Sequence, residues 1–253
     1  MGLSIEALLS PAEYQARRAR GFAGAVCVVF DVLRATSVMV TGLANGARSF
    51  IPVEEIAEAL AYRNRFPEVL LAGERNGLRI TGAVSGGAEF DFGNSPREYV
   101  RARVERREIV TTTTNGTRAL RACGTAEAVA LGTFLNLAAT VRWLQTRPEQ
   151  HLVLVCAGTQ EEHGIEDVLC AGDLVERLGR SGADFTLSDA ARLALLAYQG
   201  AAGDLGNAIG QGRNGARLLG NPDLRADVEF CLRRDVFDLV AVMDCDGRIG
   251  RID

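Results

Sequence analysis

Four short polar segments interrupt a largely apolar chain, and each directly follows a stretch that predicts a buried strand. Because ligands bind outside the carboxyl ends of the strands in an open α/β sheet, we expect the four segments to border one cleft. Their carboxylates, arginines, hydroxyls and glycines suit a site for an anion and a metal ion. The segments are residues 31–37, 73–77, 111–117 and 157–167.

The first segment places a carboxylate and an arginine about one helical turn apart. Asp31 ends an apolar run, and Arg34 follows three residues later. We interpret Asp31 as a Mg²⁺ ligand and Arg34 as a clamp for an oxyanion. The alternative is an aspartate that caps the following helix and pairs locally with the arginine. Haloacid-type phosphatases need a second aspartate where this chain has Leu33, so a phospho-aspartate mechanism of that type is disfavoured.

The second segment sets two opposite charges between glycines. Glu74 is predicted to bind a metal ion and Arg75 to bind phosphate, whereas the alternative is a solvated turn. A further segment, Asn94-Ser95, precedes a predicted helix that runs to about Glu105. Its free N–H groups favour an anion, unless the Ser95 side chain simply caps the helix.

The third segment, residues 111–117, offers five threonine hydroxyls, the amide of Asn115 and a glycine that permits close approach of the backbone. An oxygen-rich loop that opens a helix suits phosphate or sulfonate. The alternative is a run of strand-forming threonines that ends in an Asn-Gly turn.

The fourth segment crowds acidic residues at the start of a predicted helix. Acidic side chains stabilise a helix N-terminus, which is the simplest interpretation of most of them. Paired carboxylates near a strand end also suit Mg²⁺, and we prefer Glu166 or Asp167 as the ligand.

Composition excludes several classes of function. A net charge of −4 and a pI of about 5.4 exclude the basic surface of a nucleic-acid-binding protein. All 28 basic residues are arginine, which removes Schiff-base chemistry and the P-loop lysine. Two histidines cannot build a three-histidine zinc site. No apolar run predicts a membrane span, no secretory pattern is seen, and six cysteines form no C-x-x-C pair, so we expect a cytoplasmic protein.

Strands that alternate with helices predict a three-layer α/β/α fold with a largely parallel or mixed sheet. The clearest buried strands are 25–30 and 151–156, and residues 239–243 and 248–252 flank an Asp-Gly hairpin signal. A single helix is predicted over 205–219. We expect one unit over residues 1–253, with two lobes at about 1–150 and 151–253 as the alternative.

Eight segments in the right order resemble the 2-phosphosulfolactate phosphatase (ComB) family. Together they span the chain from about residue 25 to the C-terminal region, which is more specific than any one motif. They are Phe30–Ser37, Ala44–Ala47, Gly73–Gly77, Phe92–Pro96, Thr112–Leu120, Cys156–Thr159, Glu166–Gly172 and Asp227–Cys231.

The resemblance implies an α/β fold unlike the common phosphatase folds, and the activity of a hydrolase: a Mg²⁺-dependent acid phosphatase that converts 2-phospho-3-sulfolactate to 3-sulfolactate and phosphate. In methanogens this step belongs to coenzyme M biosynthesis. Two rivals stay open: a phosphatase for another small phosphorylated acid, and a non-catalytic anion-binding protein. The expected partner is a small anionic substrate, without nucleic acid or membrane, and a homodimer is left open.

The predicted site collects the residues of these segments. Water attack on the phosphate is the direct route, and a covalent route through Asp31 is the alternative. Segments 81–89 and 160–164 depart from the family pattern and are expected to border the substrate. The predicted catalytic residues are Asp31, Arg34, Glu74 and Arg75; the predicted substrate-binding residues are Thr36, Asn76, Asn94, Ser95, Thr113, Thr114, Asn115, Gly116 and Thr117; and the predicted Mg²⁺ ligands are Asp31, Glu74, Glu166 and Asp167.

Overall fold

The computed structural model describes residues 2–147, 151–182 and 184–252. Within these residues, a mixed sheet is flanked by helices, which confirms the predicted α/β class. The strands are β1 (Leu3–Leu8), β2 (Val26–Phe30), β3 (Ser49–Pro52), β4 (Leu70–Arg75), β5 (Leu78–Arg79), β6 (Glu108–Thr112), β7 (Ala128–Gly132), β8 (His151–Cys156), β9 (Phe185–Leu187), β10 (Val240–Met243) and β11 (Ile249–Ile252).

Short helices connect most of the strands, and the last four helices follow one another without an intervening strand before the final hairpin. A 3-10 helix at Pro96–Glu98 stands between the fourth and fifth α-helices. The α-helices are α1 (Pro11–Arg18), α2 (Ala35–Ala44), α3 (Ile56–Arg65), α4 (Gly82–Ser85), α5 (Arg101–Val104), α6 (Gly116–Ala122), α7 (Leu137–Gln145), α8 (Ile165–Arg180), α9 (Asp189–Ala201), α10 (Leu205–Gly210), α11 (Arg213–Leu219) and α12 (Arg225–Cys231).

The sheet consists of two parallel groups that run in opposite senses. Its strand order is β5-β4-β6-β3-β11-β10-β7-β2-β8-β1-β9. Half-sheet I contains β7, β2, β8, β1 and β9, all parallel to their neighbours, and half-sheet II contains β3, β6 and β4, also parallel. The antiparallel pair β10–β11 lies between them, so three antiparallel steps separate β7 from β3. The predicted strands β2 and β8 are buried in the sheet with parallel neighbours, here each other, and the predicted C-terminal hairpin is also confirmed.

Strand β2 is held from both faces, which fixes the residues that follow it. Its side chains alternate between two hydrophobic clusters: Cys27 and Val29 enter one, and Val28 and Phe30 enter the other. All five residues of the strand are buried, as a continuous apolar run predicts for a strand covered by helices on both sides. The loop that starts at Asp31 therefore leaves from a rigid point of the core.

Several elements differ from the predictions. Strands β1 and β9 and helix α12 were not predicted, and residues 73–75 belong to β4 rather than to a loop. The predicted helix over 95–105 is interrupted because Tyr99 and Val100 leave the helical conformation, and the Tyr99 ring stacks on Phe92 at 4.7 Å. The predicted helix over 205–219 is broken at Gly212, whose extended backbone begins α11.

Two further expectations concern the chain as a whole. No described helix combines the length and apolar character that a membrane span would need. The predicted alternative boundary at about residue 150 falls at residues 148–150, outside the described residues, and the choice between one unit and two lobes stays a prediction.

Candidate active site

All four predicted polar segments contribute to one open cavity of about 180 Å³, which we call the cleft. Half-sheet I delivers the residues that follow β2 and β8, and half-sheet II delivers the end of β4 and the residues that follow β6. The lining residues are Asp31, Leu33, Arg34, Glu74, Asn76, Gly77, Asn94, Thr113, Thr114, Asn115, Thr159, Gln160, Asn214 and Arg217.

The two half-sheets meet at Asp31 and Gly116, although their strands are far apart in the sheet. β2 and β6 are five positions apart in the strand order, which in a flat sheet would be about 24 Å. Yet a Cβ atom on Gly116 would lie only 2.6 Å from Asp31 Oδ2. The sheet must therefore curl, and the cleft forms between two half-sheets rather than along one parallel edge.

Asp31 keeps one carboxylate oxygen without a hydrogen bond from the described residues. Its Oδ1 accepts a 3.0 Å hydrogen bond from the backbone N–H of Ala35, which is the capping contact that the sequence left as an alternative. Burial raises the pKa of Asp31 to about 7, and the negative charges of Glu74 and Glu166 add to this shift. The side chain thus both caps α2 and presents Oδ2 to the site.

Glu74 and Arg75 point to opposite sides because neighbours on a strand alternate. Glu74 lines the cleft, where its two carboxylate oxygens accept the N–H groups of Thr114 at 2.8 Å and Gly77 at 2.7 Å. Arg75 does not line the cleft, which corrects its predicted position. Its guanidinium donates instead to Thr112 Oγ1 at 3.1 Å and to the Glu74 carbonyl oxygen at 2.7 Å.

Arg34 lines the cleft and is paired with a residue that sequence reasoning did not place in the site. The peptide bond that precedes it is cis. Its Nη1 donates to Asp227 Oδ2 at 2.5 Å and its Nη2 to the Gly77 carbonyl at 2.8 Å. Asp227 is fully buried and accepts two more hydrogen bonds through Oδ1, from Ser95 Oγ at 2.6 Å and Arg97 Nε at 2.7 Å. Ser95 is therefore turned toward Asp227 and does not line the cleft.

The two acidic residues at the start of α8 lie behind the cleft wall, which corrects the expectation that one of them lines it. Asp167 accepts the N–H groups of Val32 at 2.8 Å and Gly158 at 3.0 Å, and so ties the β2 and β8 loops together. Glu166 Oε1 accepts a 2.7 Å hydrogen bond from Asn214, while its buried Oε2 has no partner among the described residues. Burial raises the pKa of both carboxyl groups.

The threonine loop is divided between cleft and interior. Thr113, Thr114 and Asn115 line the cleft, and the buried Oδ1 of Asn115 has no hydrogen-bond partner in the described part of the chain. Thr117 instead donates through Oγ1 to the Thr113 carbonyl at 3.0 Å. Thr36 is likewise turned inward and donates to the Gly132 carbonyl at 3.1 Å. Of the other predicted substrate-binding residues, Asn76 and Asn94 line the cleft and Gly116 does not.

Four rim residues were not among the predicted site residues. Thr159 and Gln160 belong to the fourth predicted polar segment, and Gln160 also to segment 160–164, whereas no strand end or motif marks Asn214 and Arg217. No residue of segment 81–89 lines the cleft. Thr159 and Gln160 follow β8, and Asn214 and Arg217 lie on α11. Asn214 connects three groups by hydrogen bonds. Its Nδ2 donates to the Leu33 carbonyl at 2.9 Å and to Glu166, and its Oδ1 accepts a hydrogen bond from Arg217 Nη2 at 2.8 Å.

The oxygen atoms at the cleft fit a hard divalent cation. Across the described ranges, no three His, Cys, Asp or Glu side chains are arranged to hold a metal ion by themselves. Mg²⁺, however, usually keeps several waters and binds through one or two carboxylates together with substrate phosphate. Two oxygens of the lining accept no hydrogen bond from the described residues, Asn115 Oδ1 and Asp31 Oδ2, and both are ligand atoms of the required kind; the equally unpartnered Glu166 Oε2 lies behind the wall.

Comparison with known proteins gives concordant matches over most of the chain. A family model described as 2-phosphosulpholactate phosphatase matches residues 10–245. A probable 2-phosphosulfolactate phosphatase of Caldanaerobacter subterraneus is 41% identical over 217 residues, which cover 84% of this chain and 85% of that protein. Proteins with the same printed name from Caldicellulosiruptor saccharolyticus and Deinococcus radiodurans are 37% and 40% identical over 219 residues each, covering 84% and 86% of this chain and 86% and 87% of theirs.

Proposed function

The chain belongs to the 2-phosphosulfolactate phosphatase family, whose members are phosphoric monoester hydrolases, and from that premise we propose that it hydrolyses 2-phospho-3-sulfolactate with the help of Mg²⁺. The products are 3-sulfolactate and inorganic phosphate. From the resemblance we also propose that the reaction supplies 3-sulfolactate for coenzyme M biosynthesis in the cytoplasm.

One observation carries this proposal: the cleft joins carboxylates and an arginine from opposite half-sheets. Asp31 and Arg34 follow β2, and Glu74 ends β4, yet all three line the same small cavity. A phosphate monoester needs positive charge and hydrogen-bond donors around its oxygens and a way to activate water. This combination supports phosphate-ester hydrolysis better than simple binding of an anion.

Two oxygen atoms of residues that line the cleft would hold the cation, Asp31 Oδ2 and Asn115 Oδ1, and the buried Glu166 carboxyl behind the wall would add negative charge near it. A bound Mg²⁺ would polarise the phosphoryl oxygens and offset the charge that develops on them. Glu74 and Asp167 contribute indirectly in this proposal, because each already accepts two backbone N–H groups and thereby fixes the loops around the site.

Arg34 and the threonine loop would position the phosphate. The guanidinium of Arg34 keeps N–H groups beyond the two that bind Asp227 and Gly77, and charge-assisted hydrogen bonds to phosphate are among the stronger ones. The Asn115 amide and the Thr114 hydroxyl add donors at the same wall. Water then forms a new P–O bond as the ester P–O bond breaks, and the leaving alkoxide takes up the proton that the water loses; a phospho-Asp31 intermediate, which water would then hydrolyse, is the alternative route.

The test is phosphate release from 2-phospho-3-sulfolactate by chelator-treated protein, before and after addition of Mg²⁺. We expect phosphate and 3-sulfolactate in equal amounts, and release that depends on the cation. Release only from other phosphorylated acids would identify a related phosphatase with a different substrate. Binding without release, whatever cation is supplied, would instead identify an anion-binding protein.

A further inference from the structure

The two arginines that line the cleft differ in how their charges are balanced. Arg34 is only 3% exposed and is paired with the fully buried carboxylate of Asp227. Arg217 is exposed at the rim and forms no ion pair with a described residue; its Nη2 donates to the neutral amide of Asn214. Arg217 thus brings to the cavity a positive charge that no ion pair with a described residue neutralises, on the same lining as the carboxylates of Asp31 and Glu74.

The position of the Arg217 guanidinium is set from two sides. Asn214 holds it from α11 at 2.8 Å. On the other side it lies against the turn between β4 and β5, where a Cβ atom on Gly77 would be 2.4 Å from Arg217 Nη1. Gly77 has a φ of 80°, which glycine adopts without strain, so the turn leaves this space open for the guanidinium.

Asn214 also links Arg217 to the acidic residue Glu166. Its Oδ1 accepts from Arg217, while its Nδ2 donates to Glu166, whose second oxygen has no hydrogen-bond partner among the described residues. One amide therefore orients both a cationic and an acidic group. A ligand that matches this arrangement carries a phosphate near the acidic residues at the proposed cation site, and a second anionic group that reaches Arg217 at the rim.

We propose that Arg217 determines substrate specificity by binding the second oxyanion, a carboxylate or a sulfonate, of a small phosphorylated acid. This inference rests on the proposed function, because it assumes that the phosphate occupies the inner part of the cleft. Arginine suits the role, since its planar fork donates two parallel hydrogen bonds to a carboxylate or sulfonate.

The test compares kcat/KM for 2-phospho-3-sulfolactate and for isopropyl phosphate, which has a phosphate but neither a carboxylate nor a sulfonate. Variants are Arg217→Gln, Arg217→Lys and the matched control Arg192→Gln, which removes an exposed arginine from α9, outside the cleft lining. We expect Arg217→Gln to lower kcat/KM about 10- to 100-fold for the sulfonated substrate, the usual effect of losing a charge-assisted hydrogen bond. The value for isopropyl phosphate should stay within about threefold, and Arg217→Lys should be intermediate.

Two further substrates identify the oxyanion. Phospholactate carries only the carboxylate, and 2-phosphopropane-1-sulfonate carries only the sulfonate. The substrate whose kcat/KM falls furthest in Arg217→Gln carries the group that Arg217 binds. An equal fall for all substrates, isopropyl phosphate included, would overturn the proposal, because Arg217 would then act on the phosphate.

Calorimetric binding of 3-sulfolactate separates this inference from the proposed function, since it needs no turnover. Binding that weakens about 10- to 100-fold in Arg217→Gln supports the role of Arg217 even if the wild-type chain releases no phosphate. Equal binding by wild type and Arg217→Gln overturns the inference while leaving hydrolysis unaffected. A wild-type chain that neither binds 3-sulfolactate nor hydrolyses a monoester overturns both.

Discussion

Half-sheets I and II are both parallel groups whose strand ends reach the cleft, but they bring different kinds of groups to it. From half-sheet I comes Asp31, which has one oxygen that accepts no hydrogen bond from the part of the chain that the structure describes; the same holds for the buried Glu166. From half-sheet II comes Glu74, whose two oxygens both accept backbone N–H groups. A carboxylate with unused oxygens can bind a ligand, whereas one with both oxygens engaged holds its own loops. For the carboxylates, we therefore expect cation binding to depend on Asp31 of half-sheet I, and Glu74 of half-sheet II to hold the surrounding loops.

The largest expected effect separates the two carboxylates directly. Asp31→Asn keeps an oxygen that can accept the Ala35 N–H but removes the charge that would hold Mg²⁺, so we expect kcat/KM to fall about a thousandfold. Glu74→Gln should lower kcat/KM only about tenfold, because the loops that Glu74 holds would be less firmly fixed. Asp246→Asn, in the exposed turn between β10 and β11, is the control and should match wild type. Equal losses in Asp31→Asn and Glu74→Gln would remove the distinction between the half-sheets.

The arginines of the two half-sheets give the second contrast. Arg34→Lys removes the planar fork that contacts Asp227 and Gly77 and faces the cleft, so we expect kcat/KM to fall about 10- to 100-fold. Arg75→Lys should change kcat/KM by less than about threefold, because its guanidinium contacts Thr112 outside the cleft. Steady-state kinetics on both variants checks this, and a comparable loss in Arg75→Lys would contradict the assigned orientation of β4.

Gly116→Ala tests the contact between the half-sheets. The added methyl group would lie 2.6 Å from Asp31 Oδ2 and 2.7 Å from the Cβ of Ala35, so the two loops must separate. We expect a loss of about 1–3 kcal/mol in the free energy of unfolding, with reduced activity. Gly200→Ala in α9, where a Cβ meets nothing within 4 Å, is the control and should be neutral or slightly stabilising. Chemical denaturation of both variants measures the free energy of unfolding. A Gly116→Ala variant as stable as Gly200→Ala would show that Asp31 and Gly116 are not in close contact.

The smallest effect is a dependence of stability on pH. Burial raises the pKa of Asp31 from its ordinary value of 3.8 to about 7, so the folded chain binds this proton more tightly than the unfolded chain. In metal-free protein the contribution of Asp31 to stability is therefore lost as pH rises from about 4 to about 7. Asp31→Asn removes this loss, so the melting temperature of the variant relative to wild type should increase from pH 4.5 to pH 8. A constant difference across that range would show that Asp31 titrates normally.

Much of the fold followed from local patterns in the sequence. Continuous apolar runs identified β2 and β8, and an Asp-Gly turn identified the hairpin of β10 and β11. The polar residues after strands marked the cleft, because the ends of β2, β4, β6 and β8 all reach it. The family resemblance, inferred from eight short segments, is confirmed by a family model that matches nearly the whole chain.

What the sequence could not supply depends on distant contacts. The opposite senses of the half-sheets arise from the C-terminal hairpin, which inserts between strands formed much earlier in the chain. The side to which Arg75 points depends on β4 extending two residues beyond Gly73, which a glycine-flanked polar segment does not indicate. Arg217 and Asp227 reach the site from the last two helices. The family-like segment that starts at Asp227 does not indicate a contact with Arg34, and nothing local distinguishes Arg217 from the exposed polar residues of an ordinary helix.

The central claim is that Asp31, at the contact of the two half-sheets, holds the cation that serves the phosphate. Titration of metal-free wild type, Asp31→Asn and Asp246→Asn with Mg²⁺, in the presence of inorganic phosphate, measures this by calorimetry. We predict one Mg²⁺ per chain for wild type and for Asp246→Asn, and binding weakened at least about 100-fold in Asp31→Asn. Mg²⁺ binding by Asp31→Asn that equals wild type would contradict the claim.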